Sequence, residues 1–269
     1  MRGASTESAA VLAEQLAAAV DGGADAARLG DDLFGVADVL RREPSLRRTV
    51  TDASLRADAK AELVRQIFGE QLSTAAVDLV ASAVGRRWAM SRDLGDALEQ
   101  LGVVAVVRSA EQAGEADRLE DELFGFGRLV ADNPGLRDAL SDPARSVADK
   151  QELVRTLLEG KAGEASVRLA QQSVTGSYRT VPLAVEAYQK IAAEHRSLLV
   201  ATVRVARELG DQDARRLADA LQRQYDRPVH LNVMIDPDVI GGMRVDIGDD
   251  VIDGTVSSRL DEARRRLAG

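Results

Sequence analysis

Six aspartates crowd residues 236–253: Asp236, Asp238, Asp246, Asp249, Asp250 and Asp253. Carboxylates at that density could hold a divalent cation, but they lack the alternate spacing of a calcium loop. A tight hairpin turn at Gly248-Asp249 accounts for them better. Gly241-Gly242 in the same stretch could cradle a phosphate, yet no lysine-serine or lysine-threonine pair follows and the next element reads as strand. The pair therefore points to a conformational role, positive φ or close packing. His195 and His230 stand alone, far apart in sequence, which disfavours paired metal or triad use. The chain has no cysteine, which removes thiolate metal sites, disulfides and cysteine nucleophiles together. No catalytic, cofactor-binding or metal-binding constellation emerges.

The elements that must position these residues change character along the chain. Before residue 198 the apolar period is helical; after it the period is two. Leu199, Ala201, Val203 and Val205 alternate with Val200, Thr202 and Arg204; Leu231, Val233 and Ile235 alternate with Asn232 and Met234; Met243, Val245 and Ile247 alternate with Arg244 and Asp246. Asp211 opens a helix through Leu217, Leu221 and Tyr225, and Thr255 opens another through Leu260, Ala263 and Leu267. Arg264-Arg265-Arg266 would then complement the dipole of a last helical turn. Strand, helix, strand, strand, helix predicts a small sheet covered on one face by helices.

The helical part is duplicated. Leu33-Phe34-Gly35 recurs as Leu123-Phe124-Gly125, Pro44-x-Leu46-Arg47 as Pro134-x-Leu136-Arg137, and Lys60-x-Glu62-Leu63-Val64-Arg65 as Lys150-x-Glu152-Leu153-Val154-Arg155. The offset is 90 in each case (33 to 123, 44 to 134, 60 to 150), a single register that chance amphipathicity does not produce. Asp52 falls on Asp142, and Trp88 on Tyr178, an aromatic pair expected in the module cores. In the second copy Leu119, Leu123, Phe126 and Val130 make a helical stripe that Asn133-Pro134-Gly135 stops. Ser146-x-x-Asp149 starts the next helix, another covers about 164–174, and Pro182 suits the first turn of the last. Helix Ser91–Gln112 matches both the last helix of copy two and the opening helix of copy one, so it is expected to close one module and open the other. The predicted fold is mainly α: a first helical module at 1–112, a second at 113–197, and a C-terminal α/β domain at 198–269.

Charge narrows the partners. Lysine and arginine total 35 against 44 aspartates and glutamates, a net charge of −9, which disfavours nucleic acid. Aromatics are 3% of residues, in keeping with helix over sheet. Glu7, Glu14 and Asp21 interrupt the start of the chain where a signal peptide would be apolar. The longest apolar stretch, 103–107, falls far short of the roughly 20 residues that span a bilayer. A cytoplasmic protein without direct membrane insertion is expected.

The run Ile235-Asp236-Pro237-x-x-Ile240-Gly241-Gly242-Met243-x-Val245-x-Ile247-Gly248-Asp249-x-Val251-Ile252-Asp253-Gly254-Thr255 resembles the C-terminal signature of the delta subunit of F-type ATP synthases, the bacterial counterpart of the mitochondrial oligomycin-sensitivity-conferring protein. Asp236, Pro237, Gly241, Gly242, Gly248, Asp253 and Gly254 are its structural signature. Asn133-Pro134-x-Leu136, Ser141-Asp142-Pro143 and Lys150-x-Glu152-Leu153 resemble that family's helical domain. The extra first copy resembles the long form found in high-GC Gram-positive bacteria. Ala53 stands in that copy where the second has Pro143, a point of divergence.

The resemblance implies a non-catalytic stator in the peripheral stalk. Such a subunit binds N-terminal helices of the alpha subunits and holds the b-type stalk subunit, at the cytoplasmic face of the cell membrane. The groove between helix Ser91–Gln112 and the helix at 182–196 is then expected to receive an alpha-subunit helix. A stand-alone adaptor for amphipathic helices is the alternative, and an enzyme built on the α/β domain is disfavoured by the missing nucleophile and phosphate loop.

Overall fold

The computed structural model describes residues 3–195, 199–207, 209–225, 229–237, 239–247 and 250–255. The chain divides into two compact units, Met1–Ala192 and Ala193–Gly269.

Unit one is helical. Its helices are α1 Ala4–Asp21, α2 Ala26–Arg42, α3 Pro44–Thr51, α4 Ala57–Phe68, α5 Thr74–Gly85, α6 Ser91–Gln112, α7 Ala116–Asp132, α8 Pro134–Ser141, α9 Val147–Leu158, α10 Glu164–Gln172 and α11 Val181–His195. The duplication is visible element by element: α2, α3 and α4 recur as α7, α8 and α9, each displaced by 90 residues at both ends (26–42 to 116–132, 44–51 to 134–141, 57–68 to 147–158). Local chemistry explains the boundaries. Pro44 and Pro134 occupy first turns, where a missing N–H costs nothing. Ser146 accepts the Asp149 N–H at 3.1 Å, the cap expected for α9. Asp52 accepts the Ser54 N–H at 2.8 Å and Asp142 the Ala144 N–H at 2.8 Å. The turn thus survives the exchange of Pro143 for Ala53, because the aspartate side chain makes it.

Two cores fill unit one, and α6 belongs to both. Leu94, Leu98, Leu101 and Ala105 enter the first core with Leu12, Leu16, Leu33 and Val80. Val103, Val106, Val107 and Ala110 enter the second with Leu123, Phe126, Leu169 and Tyr188. Helix α6 therefore closes the first bundle and opens the second, and a helix apolar on both sides must be buried. Trp88 is half-buried against the first core, its Nε1–H donating to the Ala83 carbonyl at 2.9 Å. Tyr178 flanks the second, edge-on to Tyr188 at 5.8 Å between ring centroids.

Unit two is the α/β part: β1 Leu199–Val205, α12 Asp211–Tyr225, β2 Val229–Ile235, β3 Met243–Ile247 and β4 Asp250–Asp253. Sheet order is β2-β1-β3-β4, with β1 and β2 parallel across the α12 connection and the β1–β3 and β3–β4 pairs antiparallel. Ala201, Val203, Val205, Val245 and Ile247 face Leu221 of α12 in a single core. Strand β4 is additional to the strands expected from alternation. The expected helix at 255–267, with Arg264-Arg265-Arg266, lies beyond Thr255 and outside the described residues.

Candidate partner-binding site

Of the signature residues, Asp236, Pro237, Gly241, Gly242, Asp253 and Gly254 gather at one end of the unit-two sheet. Asp236 follows β2 and donates its backbone N–H to the Val205 carbonyl at 2.9 Å, tying the exit of β2 to the end of β1. Pro237 is exposed in the turn that follows, and Gly241 and Gly242 lead into β3. Gly242 has φ +80°, and a Cβ there would lie 2.3 Å from the Gly254 carbonyl oxygen. Gly254 in turn donates its N–H to the Met243 carbonyl at 2.9 Å. Only glycine meets both demands at 242, a left-handed backbone and contact with a neighbouring chain segment. Gly248 lies outside the described residues, as do Asp238 and Asp249, although β3 and β4 pair in register up to Ile247 and Asp250.

The carboxylates are engaged locally. Asp253 accepts both the backbone N–H and the hydroxyl of Thr255, at 2.9 and 2.7 Å. Those bonds, the backbone one first, hold its pKa below the usual aspartate value. Asp246 pairs with Arg204 and, at 3.2 Å, with Arg244. Tyr225 donates to Asp250 at 3.0 Å, and burial together with that carboxylate raises the phenol pKa. Among the described residues no group of three or more histidines, cysteines or acids is arranged to hold a metal ion. His195 ends α11, three residues past the unit boundary at Ala192, and His230 lies on β2, on separate elements.

What this end of the sheet offers is a contact surface. A depression of about 440 Å³ is lined by Arg204, Asp236, Ile240, Arg244, Asp253 and Thr255. At its rim Ile240 is 80% exposed, and Ile235, at the end of β2, is 54% exposed. Paired charges beside exposed aliphatic side chains suit recognition of a protein segment rather than chemistry on a small substrate.

In unit one the exposed large apolar residues of the second module are Leu129 on α7 and Leu183 on α11. The facing sides of α6 and α11 are in direct contact where Tyr188 donates to Glu99 at 2.5 Å. Periodicity did not single out Glu99, because an acid inside a helix ordinarily reads as solvated; it is 1% exposed.

The family model described as ATP synthase delta (OSCP) subunit matches residues 103–267, more than half of the chain. The chain belongs to the ATP synthase delta (OSCP) subunit family. It is 55% identical to an ATP synthase subunit delta of Nocardioides sp., over 100% of this chain and 98% of the relative. It is 46% identical to an ATP synthase subunit delta of Streptomyces avermitilis, over 99% and 98% of the two chains. The family match begins within α6, so most of the first module lies outside it, whereas the alignments with these two delta relatives run through both modules.

Proposed function

We propose that this chain is the delta subunit of a proton-translocating F-type ATP synthase and acts, without catalysis, as a stator in its peripheral stalk. The observation that carries the proposal is the match of residues 103–267 to the delta family, taken with the engagement of the signature glycines and acids in turns and pairs. In this reading the helical modules at 1–112 and 113–197 bind N-terminal helices of the alpha subunits, with the groove between α6 and α11 as the expected seat in the second. The domain at 198–269 holds the b-type stalk subunit. Signature residues Asp236, Pro237, Gly241, Gly242, Gly248, Asp253 and Gly254 shape that domain and perform no reaction.

A stator must resist torque, and tight partner contacts serve that need: a nanomolar complex corresponds to about 12 kcal/mol. Among the described residues no helix is long and apolar enough to cross a membrane, and the proposal places the chain peripherally at the cytoplasmic face, held by its protein partners. The test is removal of this chain from its host. Inverted membrane vesicles are expected to keep ATP hydrolysis by the catalytic head but lose ATP-driven proton uptake, and adding back the full-length chain to restore it. An assembled and fully coupled synthase without the chain would exclude the proposal.

A further inference from the structure

Each helical module has a clamp that ties its first helix to the loop entering its last. In the first module Ser5 of α1 accepts the Ala89 N–H at 2.8 Å and donates to Asp93 at 2.7 Å. Asp93 also accepts the Met90 N–H at 3.3 Å, in the first turn of α6 where the helix N-terminus offsets its charge. Every group in that clamp belongs to α1, α6 or the loop between α5 and α6.

In the second module the first helix is α6, and its clamp is Glu99. Its carboxylate accepts the Ser177 N–H at 2.9 Å and the Tyr188 hydroxyl at 2.5 Å. Glu99 lies mid-helix and is 1% exposed, so no helix terminus offsets its charge. A buried carboxylate requires a cation, and the cation is Arg41 of α2, in the other module. The copies diverge at these positions: the residue 90 before Glu99 is Ala9, and the residue 90 after Arg41 is Ala131. Gly176 completes the arrangement, since a Cβ there would lie 2.1 Å from Glu99 Oε1.

We infer that Arg41 and Glu99 make closure of the second module conditional on the first, whereas the first closes without the second. The cation that neutralises the second clamp is donated across the module boundary; the cation that crosses the other way, Arg168 of α10, pairs with Asp31 of α2 at 3.1 Å and not with the first clamp. Arg41 is a positioning residue, acting through Glu99 on the loop before α11. This dependence is absent from a plain duplication, in which each copy would carry its own clamp.

Hydrogen exchange on the full-length chain tests the inference. Arg41→Met is expected to speed exchange of the Ser177 amide by about tenfold or more while Ala89, under the first clamp, stays within about twofold of wild type. Ser5→Ala is expected to do the reverse, freeing Ala89 and leaving Ser177 protected. Arg41→Met/Glu99→Gln is the decisive variant: the glutamine oxygen can accept from Ser177 while its NH2 donates to the Tyr188 hydroxyl oxygen, and the neutral amide needs no countercharge. It is expected to restore Ser177 protection to within about threefold of wild type. Unchanged Ser177 exchange in Arg41→Met, equal loosening of both clamps, or no rescue by the double variant, including a chain that stays unfolded, would each overturn the inference.

Discussion

Asp32 of α2 accepts the backbone N–H of Ser73 at 2.8 Å, and ninety residues later Glu122 of α7 accepts the N–H of Gly163 at the same 2.8 Å. Arg28 braces Asp32 at 2.9 Å, as Arg118 braces Glu122 at 2.6 Å. In each module an acid on the second helix thus satisfies a free donor at the start of the fifth, a long-range counterpart of an N-cap. The duplication has kept the bond while changing both residues that make it.

Removing that bond should weaken its own module. Asp32 is 6% exposed, and Asp32→Ala leaves the Ser73 N–H without its carboxylate acceptor. The expected loss is about 1–2 kcal/mol. It is read as a lower midpoint in urea unfolding, followed by the fluorescence of Trp88, the single tryptophan of the chain, which flanks the same core. An unchanged midpoint would show that water replaces the carboxylate at no cost.

The same relationship predicts an acid response. Burial pushes the Glu122 carboxyl up, but hydrogen bonds from Ser166 and Gly163 and the Arg118 contact outweigh it, holding the pKa below its ordinary value of 4.5. A depressed folded-state pKa contributes stability that is fully present above 4.5 and is lost as pH falls through the lower folded value. Glu122→Gln keeps an acceptor for Gly163 but cannot titrate. The gap in unfolding midpoint between wild type and this variant should therefore be widest above about pH 4.5 and shrink as pH falls below it. A gap independent of pH would contradict the role assigned to the charge.

Much of this architecture was legible in the sequence wherever identity or period carried it. Three aligned blocks gave the duplication, and the match of Ser91–Gln112 to both the last helix of copy two and the opening helix of copy one gave the shared helix. The acid caps were not legible, because Asp32 and Glu122 differ in type and so do Ser73 and Gly163. Glu99 was hidden for a different reason: only the fold brings Arg41 to it from another module. Strand β4 offers just Val251 and Ile252 as apolar residues, too few for a period to register, and it depends on its pairing with β3. At the signature, the strand that follows Gly241-Gly242 pointed to a conformational role, and Gly242 has a positive φ, but the segment that crowds it, Gly254, was a matter of tertiary contact.

Close packing at the shared helix gives a third prediction. A Cβ on Gly102 of α6 would lie 2.5 Å from the Phe34 ring of α2, and one on Gly30 of α2 would lie 2.7 Å from Val106. Gly102→Ala should force the ring aside or spread the two helices, costing about 1–3 kcal/mol as overpacking. Phe34→Leu should recover part of that loss in the double variant, since the smaller side chain makes room for the methyl group. Additive losses in the two single variants and their combination would place the strain elsewhere.

The last prediction concerns the signature. Gly242→Ala meets two penalties: a positive φ of +80°, and a Cβ 2.3 Å from the Gly254 carbonyl oxygen, which is backbone and cannot swing away. Left-handed strain alone costs about 1 kcal/mol, and the contact adds to it by displacing the end of β4 from β3. Exchange of the Gly254 amide, which donates to Met243 at 2.9 Å, should rise by an order of magnitude or more, about 1.4 kcal/mol per tenfold. The helical unit has its own cores, so the Trp88 unfolding midpoint should not move. Binding of a b-type stalk segment to the full-length chain should weaken in parallel with the Gly254 exchange. Retained binding despite a loosened Gly254 would separate the signature from the stalk contact and assign that contact to another surface of unit two.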